Sequence, residues 1–180
     1  MSTQARLVQK YRKEVVPALR EEFGIKNIHQ VPKLEKISLN MGFGNAALED
    51  TKRMDIATKD MTMIAGQLAA QTKARVSVSN FKLRQGMRLG CRVTLRGNRM
   101  YEFLDRLINV VMPRIRDFRG IRKVGFDNQG NFSMGLDEIG IFPEVDSDRS
   151  EFVQGIDITF VIKQTSGKEQ SLSLWFWRPR

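Results

Sequence analysis

The sequence predicts an α+β domain: an antiparallel or mixed sheet of about five strands, with helices packed on one face and the other face open. Three observations lead there. Five short segments alternate apolar and polar residues, and three longer ones repeat apolar residues at helical spacing. Hydrophobic residues make up 41% of the 180 and charged residues 28%, a balance that suits a packed core. The order of segments does not by itself force an order of strands.

Taken along the chain, residues 5–23 place Val8, Tyr11, Val15, Leu19 and Phe23 on one helical face. Pro17 interrupts that face and should kink or restart the helix, and Gly24 should stop it. In "LEKISLNMG" Ile37, Leu39 and Met41 alternate with Lys36, Ser38 and Asn40, as in a strand with one wet face. A second helix is expected over about 47–70, with Leu48, Thr51, Met54, Ala57, Met61, Ile64 and Leu68 in its stripe. Its methionines read as core filling. "ARVSVSN" and "GCRVTLRG" alternate as two further strands. "NRMYEFLDRLINVVMP" reads as a helix capped by Asn98, with Met100, Phe103, Leu104, Leu107, Ile108 and Val111 inward and Pro113 at its end. Residues 113–150 are loop-rich, with a short strand at Phe132, Met134 and Leu136. "GIDITFVIK" is a late strand, and "KEQSLSLWFWRPR" is open between helix and strand. There are no repeats. The chain reads as one domain, 1–180, in three parts: 1–33 helical, 34–112 the sheet-and-helix core, and 113–180 loop-rich with the late strand.

Charge is concentrated. The net charge is +10, yet residues 73–123 alone carry 14 Lys/Arg against Glu102, Asp105 and Asp117. Residues 124–180 are acidic, with 5 basic and 9 acidic side chains. A basic block of this kind points to a polyanionic partner, nucleic acid ahead of membrane, because no strongly apolar helical face accompanies it. The first residues turn charged at once, and no run approaches the ~18 apolar residues of a membrane helix. A soluble, intracellular chain is expected.

Catalytic chemistry finds little to work with. The one histidine, His29, has no second histidine or cysteine nearby in the sequence, whereas zinc needs about four such ligands. Cys91 falls in register with Val93 and Leu95 and so reads as a buried, inert thiol rather than a nucleophile. Gly86 and Gly90 are not followed by the Lys-Ser/Thr of a phosphate-cradling loop, and "NMGFGN" lacks a dinucleotide fingerprint. Asp137 and Glu138 have no matched acidic partner. No catalytic residue, cofactor or metal is expected. What remains is the strand whose Cys91, Val93 and Leu95 turn inward. Arg92, Thr94 and Arg96 must then turn outward, alongside Lys36, Ser38 and Asn40. Such a face offers guanidinium groups to phosphates and short polar groups to bases and 2′-hydroxyls. It lacks the aromatic residues of a base-stacking platform. Residue chemistry alone therefore stops at a polyanion-binding domain, RNA ahead of DNA.

Longer strings go further. "VPKLEKISLNMGFG", "NFKLRQGMRLGCRVTLRGNRMYEFLDRLINVVMPRIRDFRG" and "GNFSMGLDEIGIFPEVD" followed by "GIDITFVI" resemble the bacterial large-ribosomal-subunit protein L-five family. The resemblance runs nearly the full length, in order and spacing. It implies a cytoplasmic, ribosomal, non-catalytic protein that binds 5S rRNA, tethers it to large-subunit rRNA, touches the peptidyl-site tRNA and meets small-subunit protein S-thirteen across a bridge. By motif position, Asn40, Gln67 and Thr94 fall where the family contacts 5S rRNA, and Arg92 and Arg96 share that face. The family's tRNA-facing loop corresponds to Ser77–Arg84, with Ser77, Ser79, Asn80, Lys82 and Arg84 as candidates. The bridge is expected in the loops within 113–150. Departures from the family pattern are Leu68-Ala69 for Lys-Pro, Val76 for a lysine, Arg88 for a proline, "FDNQGN", and the tail "SLSLWFWRPR" in place of a helical one. A free basic RNA chaperone or translational regulator using the same face is the alternative reading.

Overall fold

The computed structural model describes residues 5–44, 51–116, 118, 120, 125–127, 129–145 and 154–163. Helix α1 spans residues 6–23, α2 is Thr51–Ala65, and α3 begins as Gly97–Arg106. The strands are β1 (Lys33–Gly42), β2 (Ala70–Lys73), β3 (Arg88–Leu95), β4 (Phe132–Leu136) and β5 (Ile156–Lys163). They form one open antiparallel sheet in the order β2-β3-β1-β5-β4, so the fold is α+β with five strands. Contacts divide the chain into two compact units. The described residues of Met1–Ile37, Arg96–Met134 and Thr159–Arg180 make one, and those of Ser38–Leu95 and Gly135–Ile158 make the other. Among the described residues no helix is long and apolar enough to cross a membrane.

In the first unit, the restart expected at Pro17 takes the form of a π turn. Tyr11–Val15 is wound with wider hydrogen bonds, and Val16 donates to the Tyr11 carbonyl five residues back. Pro17 then sits at the start of the resumed α segment, and the wider turn before it makes room for a ring that cannot donate to the preceding turn. Gly24, at φ +62°, closes the helix in the left-handed conformation. Val15, Leu19 and Val31 form a small core packed by Tyr11, Val16, Phe23 and Ile25. The Tyr11 hydroxyl donates to the Pro32 carbonyl at 2.7 Å, and burial, then the neighbouring Tyr101, push its pKa up to about 12. Helix α3 starts at Gly97, with Arg96 rather than the expected Asn98 at the N-cap and no side-chain cap. It buries Met100, Tyr101, Phe103 and Leu104, continues through a π turn at Leu107–Val111, and ends in a 3₁₀ turn holding Pro113.

In the second unit, α2 lays Met54, Ala57, Met61 and Ile64 against the sheet, packing over β3, and the Thr58 hydroxyl donates back to the Met54 carbonyl at 2.6 Å. The helix is shorter than its periodicity suggests. Gly66, at φ +60°, turns the chain, so Leu68, expected in the stripe, is 81% exposed. Leu48 lies outside the described residues. A second correction concerns the strand expected in "ARVSVSN". The paired residues are Ala70–Lys73 instead, and Val76 is 69% exposed. The alternating valines belong to an exposed arm, where pattern alone cannot say that a strand has left the core. The later strands fall as expected: Phe132 and Leu136 are buried in β4, and Ile156, Ile158 and Phe160 in β5.

Candidate nucleic-acid interface

Strand β3 divides its side chains between two environments. Cys91, Val93 and Leu95 are essentially without solvent contact, Arg92 is exposed and Thr94 half-buried. In β1, Ile37, Leu39 and Met41 are sealed, while Asn40 is exposed and Ser38 half-buried. The strands are neighbours in the sheet. Just past β1 the Phe43 amide donates to the Leu89 carbonyl at 3.0 Å. Extending that antiparallel register sets Arg92 level with Asn40 and Thr94 level with Ser38. On the other flank of β3, Ala70 pairs with Arg92 and Thr72 with Gly90. Asn40, Arg92 and Thr94, expected together from the alternation, therefore share one open face.

That face holds a residue the sequence reading left out. The Asn40 side-chain amide donates to the Asp157 carboxylate of β5 at 3.5 Å. This orients the asparagine's N–H₂ toward the carboxylate and leaves its oxygen to accept from a partner. Asp157 was invisible as a site residue because acids disfavour phosphate, and only strand order brings β5 beside β1. Gln67 sits elsewhere, half-buried in the turn between Gly66 and β2. Arg96 is exposed in extended backbone just beyond β3.

Between β2 and β3 the chain extends as a hairpin-like arm. Ala74 donates to Met87 and Gly86 donates back to Ala74; further out, Val78 and Leu83 exchange both backbone bonds at 3.0 and 3.1 Å. The tip is a 3₁₀ turn, Ser79–Phe81, closed by Lys82 at φ +53°, whose amide donates to the Ser79 carbonyl. Ser79, Asn80, Lys82 and Arg84 are all exposed. Ser77 is exposed too, but its hydroxyl accepts the Gln85 amide at 2.9 Å, which gives it a part in holding the arm together. Phe81 at the tip, 63% exposed, is an added aromatic surface that the sequence reading missed; its position in the basic string was the available signal. Arg88 is drawn away toward α2, in an ion pair with Asp55 at 3.2 Å.

The thiol of Cys91 does not resemble a nucleophile. Burial pushes its pKa up to about 11, against a smaller opposing hydrogen bond with Thr58, and keeps it protonated at neutral pH. His29 is exposed, and Asp137 and Glu138 lie at the surface. Among the described residues no cluster of three or more His, Cys, Asp or Glu is placed to hold a metal.

The sequence is similar to known proteins over most of its length. The family description "Ribosomal protein L5" matches residues 27–84, and the description of the C-terminus of that ribosomal family matches 88–175. The chain is 53% identical over 165 residues to the large ribosomal subunit protein uL5 of Geotalea daltonii and 50% identical over 165 residues to that of Thermoanaerobacter sp., covering 92% of both chains in each case. Against the Clostridium tetani protein of the same name it is 52% identical over 164 residues, or 91% of each. Fold and relatives together define a structural, non-enzymatic component of the large ribosomal subunit, a class in which rRNA binding is typical. The chain belongs to the ribosomal protein L5 family.

Proposed function

We propose that this chain binds 5S rRNA through the polar face of β1 and β3, and so tethers that RNA to large-subunit rRNA. Asn40 and Thr94 supply short polar groups that can read base edges or 2′-hydroxyls, and Arg92 supplies a guanidinium for phosphate. Gln67 and Arg96 add contacts of their own. The arm from Ser77 to Arg84 meets the peptidyl-site tRNA, with Ser79, Asn80, Lys82 and Arg84 facing it and Ser77 bracing its shape. Loops within 113–150 meet small-subunit protein S-thirteen across the bridge.

The observation that carries the reading is the outward placement of Asn40, Arg92 and Thr94 on adjacent strands, opposite a sealed apolar face. Affinity for 5S rRNA tests it. Asn40→Ala should weaken binding by about 1–3 kcal/mol, the scale of a lost base-edge contact. Thr94→Arg should weaken it comparably by filling the space a nucleotide needs. Arg92→Ala should lower affinity and reduce the salt slope by about 1. Affinities equal to wild type in all three variants would remove this face from the interaction.

A further inference from the structure

Beside α1 lies a groove of about 1110 Å³ that has no place in the RNA-binding reading. Tyr11, Val31, Leu34, Met100 and Tyr101 make much of its lining. Ile28, 57% exposed, lines it as well. Its cations, Arg12, Lys33 and Lys163, are accompanied by Glu35, a mixture around apolar surface that suits side chains better than phosphates. One of the lining residues, Lys163, is also the last residue of β5.

From Lys163 the chain continues as "QTSGKEQSLSLWFWRPR", outside the described residues. This stretch contains both tryptophans of the chain, Trp175 and Trp177, together with Leu172, Leu174 and Phe176. So large an apolar segment is costly to leave in water, because each aromatic side chain can bury ~150–250 Å². The stretch begins at the wall of the groove, so docking requires no long span, and the tether keeps its effective concentration far above that of any free partner. We propose that residues 172–177 dock into this groove of their own molecule, their aromatic and leucine side chains covering Ile28 and the half-buried Tyr11. The chain would thereby close its own apolar surface.

Tryptophan emission from the full-length protein, excited where tyrosine does not absorb, reads this segment alone. The wild type should emit to the blue of the denatured chain, resist acrylamide quenching, and do so independently of protein concentration. Ile28→Asp, at an exposed lining position, and Phe176→Ser, which keeps both reporters, should each shift emission to the red and increase quenching while leaving far-UV circular dichroism unchanged. Ile28→Leu should behave as wild type. Wild-type emission already at the denatured position, or emission unmoved by Ile28→Asp, would overturn the proposal. A blue shift that grows with protein concentration would assign the segment to a second copy, and one that appears only with 5S rRNA would assign it to RNA. Either result also overturns it.

Discussion

Gly90 shows how closely single residues are fitted. A Cβ placed there would stand 2.5 Å from the Met41 carbonyl oxygen and 3.1 Å from the Thr72 hydroxyl, between the two strands that flank β3. The first contact is with backbone of the central strand and cannot swing away. Gly90→Ala should therefore cost about 1–3 kcal/mol, the range of an overpacked core, and chemical denaturation would measure it. Asp127 holds the loop before β4 in a different manner. Burial alone would raise its pKa, but hydrogen bonds from the Asn131 side chain and from the Asn131, Gln129 and Gly130 amides outweigh that and bring it below the ordinary 3.8. The Asn131 side-chain oxygen in turn accepts the Ile162 amide of β5 at 3.0 Å. Because the folded carboxyl is the stronger acid, its contribution is fully present at neutral pH and is lost as pH falls below 3.8, through the folded value. An acid titration followed by circular dichroism should show that component in the wild type. In Asn131→Ala it should be reduced, with lower stability at neutral pH from the lost Ile162 bond.

At the scale of elements, the arm between β2 and β3 combines exposure with definite shape. Its flanks are hydrogen-bonded, yet Val76 and Phe81 remain in water and Lys82 holds a left-handed backbone that side chains disfavour. That conformation costs an L-residue about 1–2 kcal/mol, which glycine would not incur. Lys82→Gly should therefore leave stability equal or higher while weakening tRNA binding and lowering the salt slope. Thermal unfolding and filter binding on the same preparation would show the two effects moving apart. A parallel loss of stability and binding would instead make Lys82 a structural residue. The short outer strand β2 fits the same picture. Only Ala70–Lys73 pair, and Lys73 and the arm beyond them make a poor template for another sheet edge.

For the whole molecule, the decisive quantity is where the charge lies. The +11 excess of residues 73–123 runs from the end of β2 through the arm, β3 and α3, with five of its basic residues (Arg114, Arg116, Arg119, Arg122 and Lys123) at or beyond the end of α3, while 124–180 is acidic. Binding to RNA should therefore be dominated by counterion release. For about six neutralised phosphates, affinity should fall roughly a thousandfold between ~50 and ~200 mM salt, as a salt titration would show. A shallow slope would mean that the basic block faces solvent rather than phosphate.

The sequence by itself determined the class of fold, because alternation in 36–41, 91–95 and 156–162 and helical spacing in 100–111 report directly on which side chains meet the core. It also determined the split of β3, with Cys91, Val93 and Leu95 inward and Arg92 and Thr94 outward, since a strand's two faces are fixed by its period of two. Its charge block pointed to a polyanionic partner, and its longer motifs carried the family. Tertiary structure alone decided the rest. Val76 and Val78 alternate as convincingly as any strand, but no sheet neighbour covers them, so they belong to an exposed arm. Leu68 continues a helical stripe, but Gly66 has already turned the chain. Asp157 joins Asn40 because strand order, a property of no local segment, places β5 beside β1. Local pattern records which side of a segment is apolar; only the packed chain decides whether anything is there to cover it.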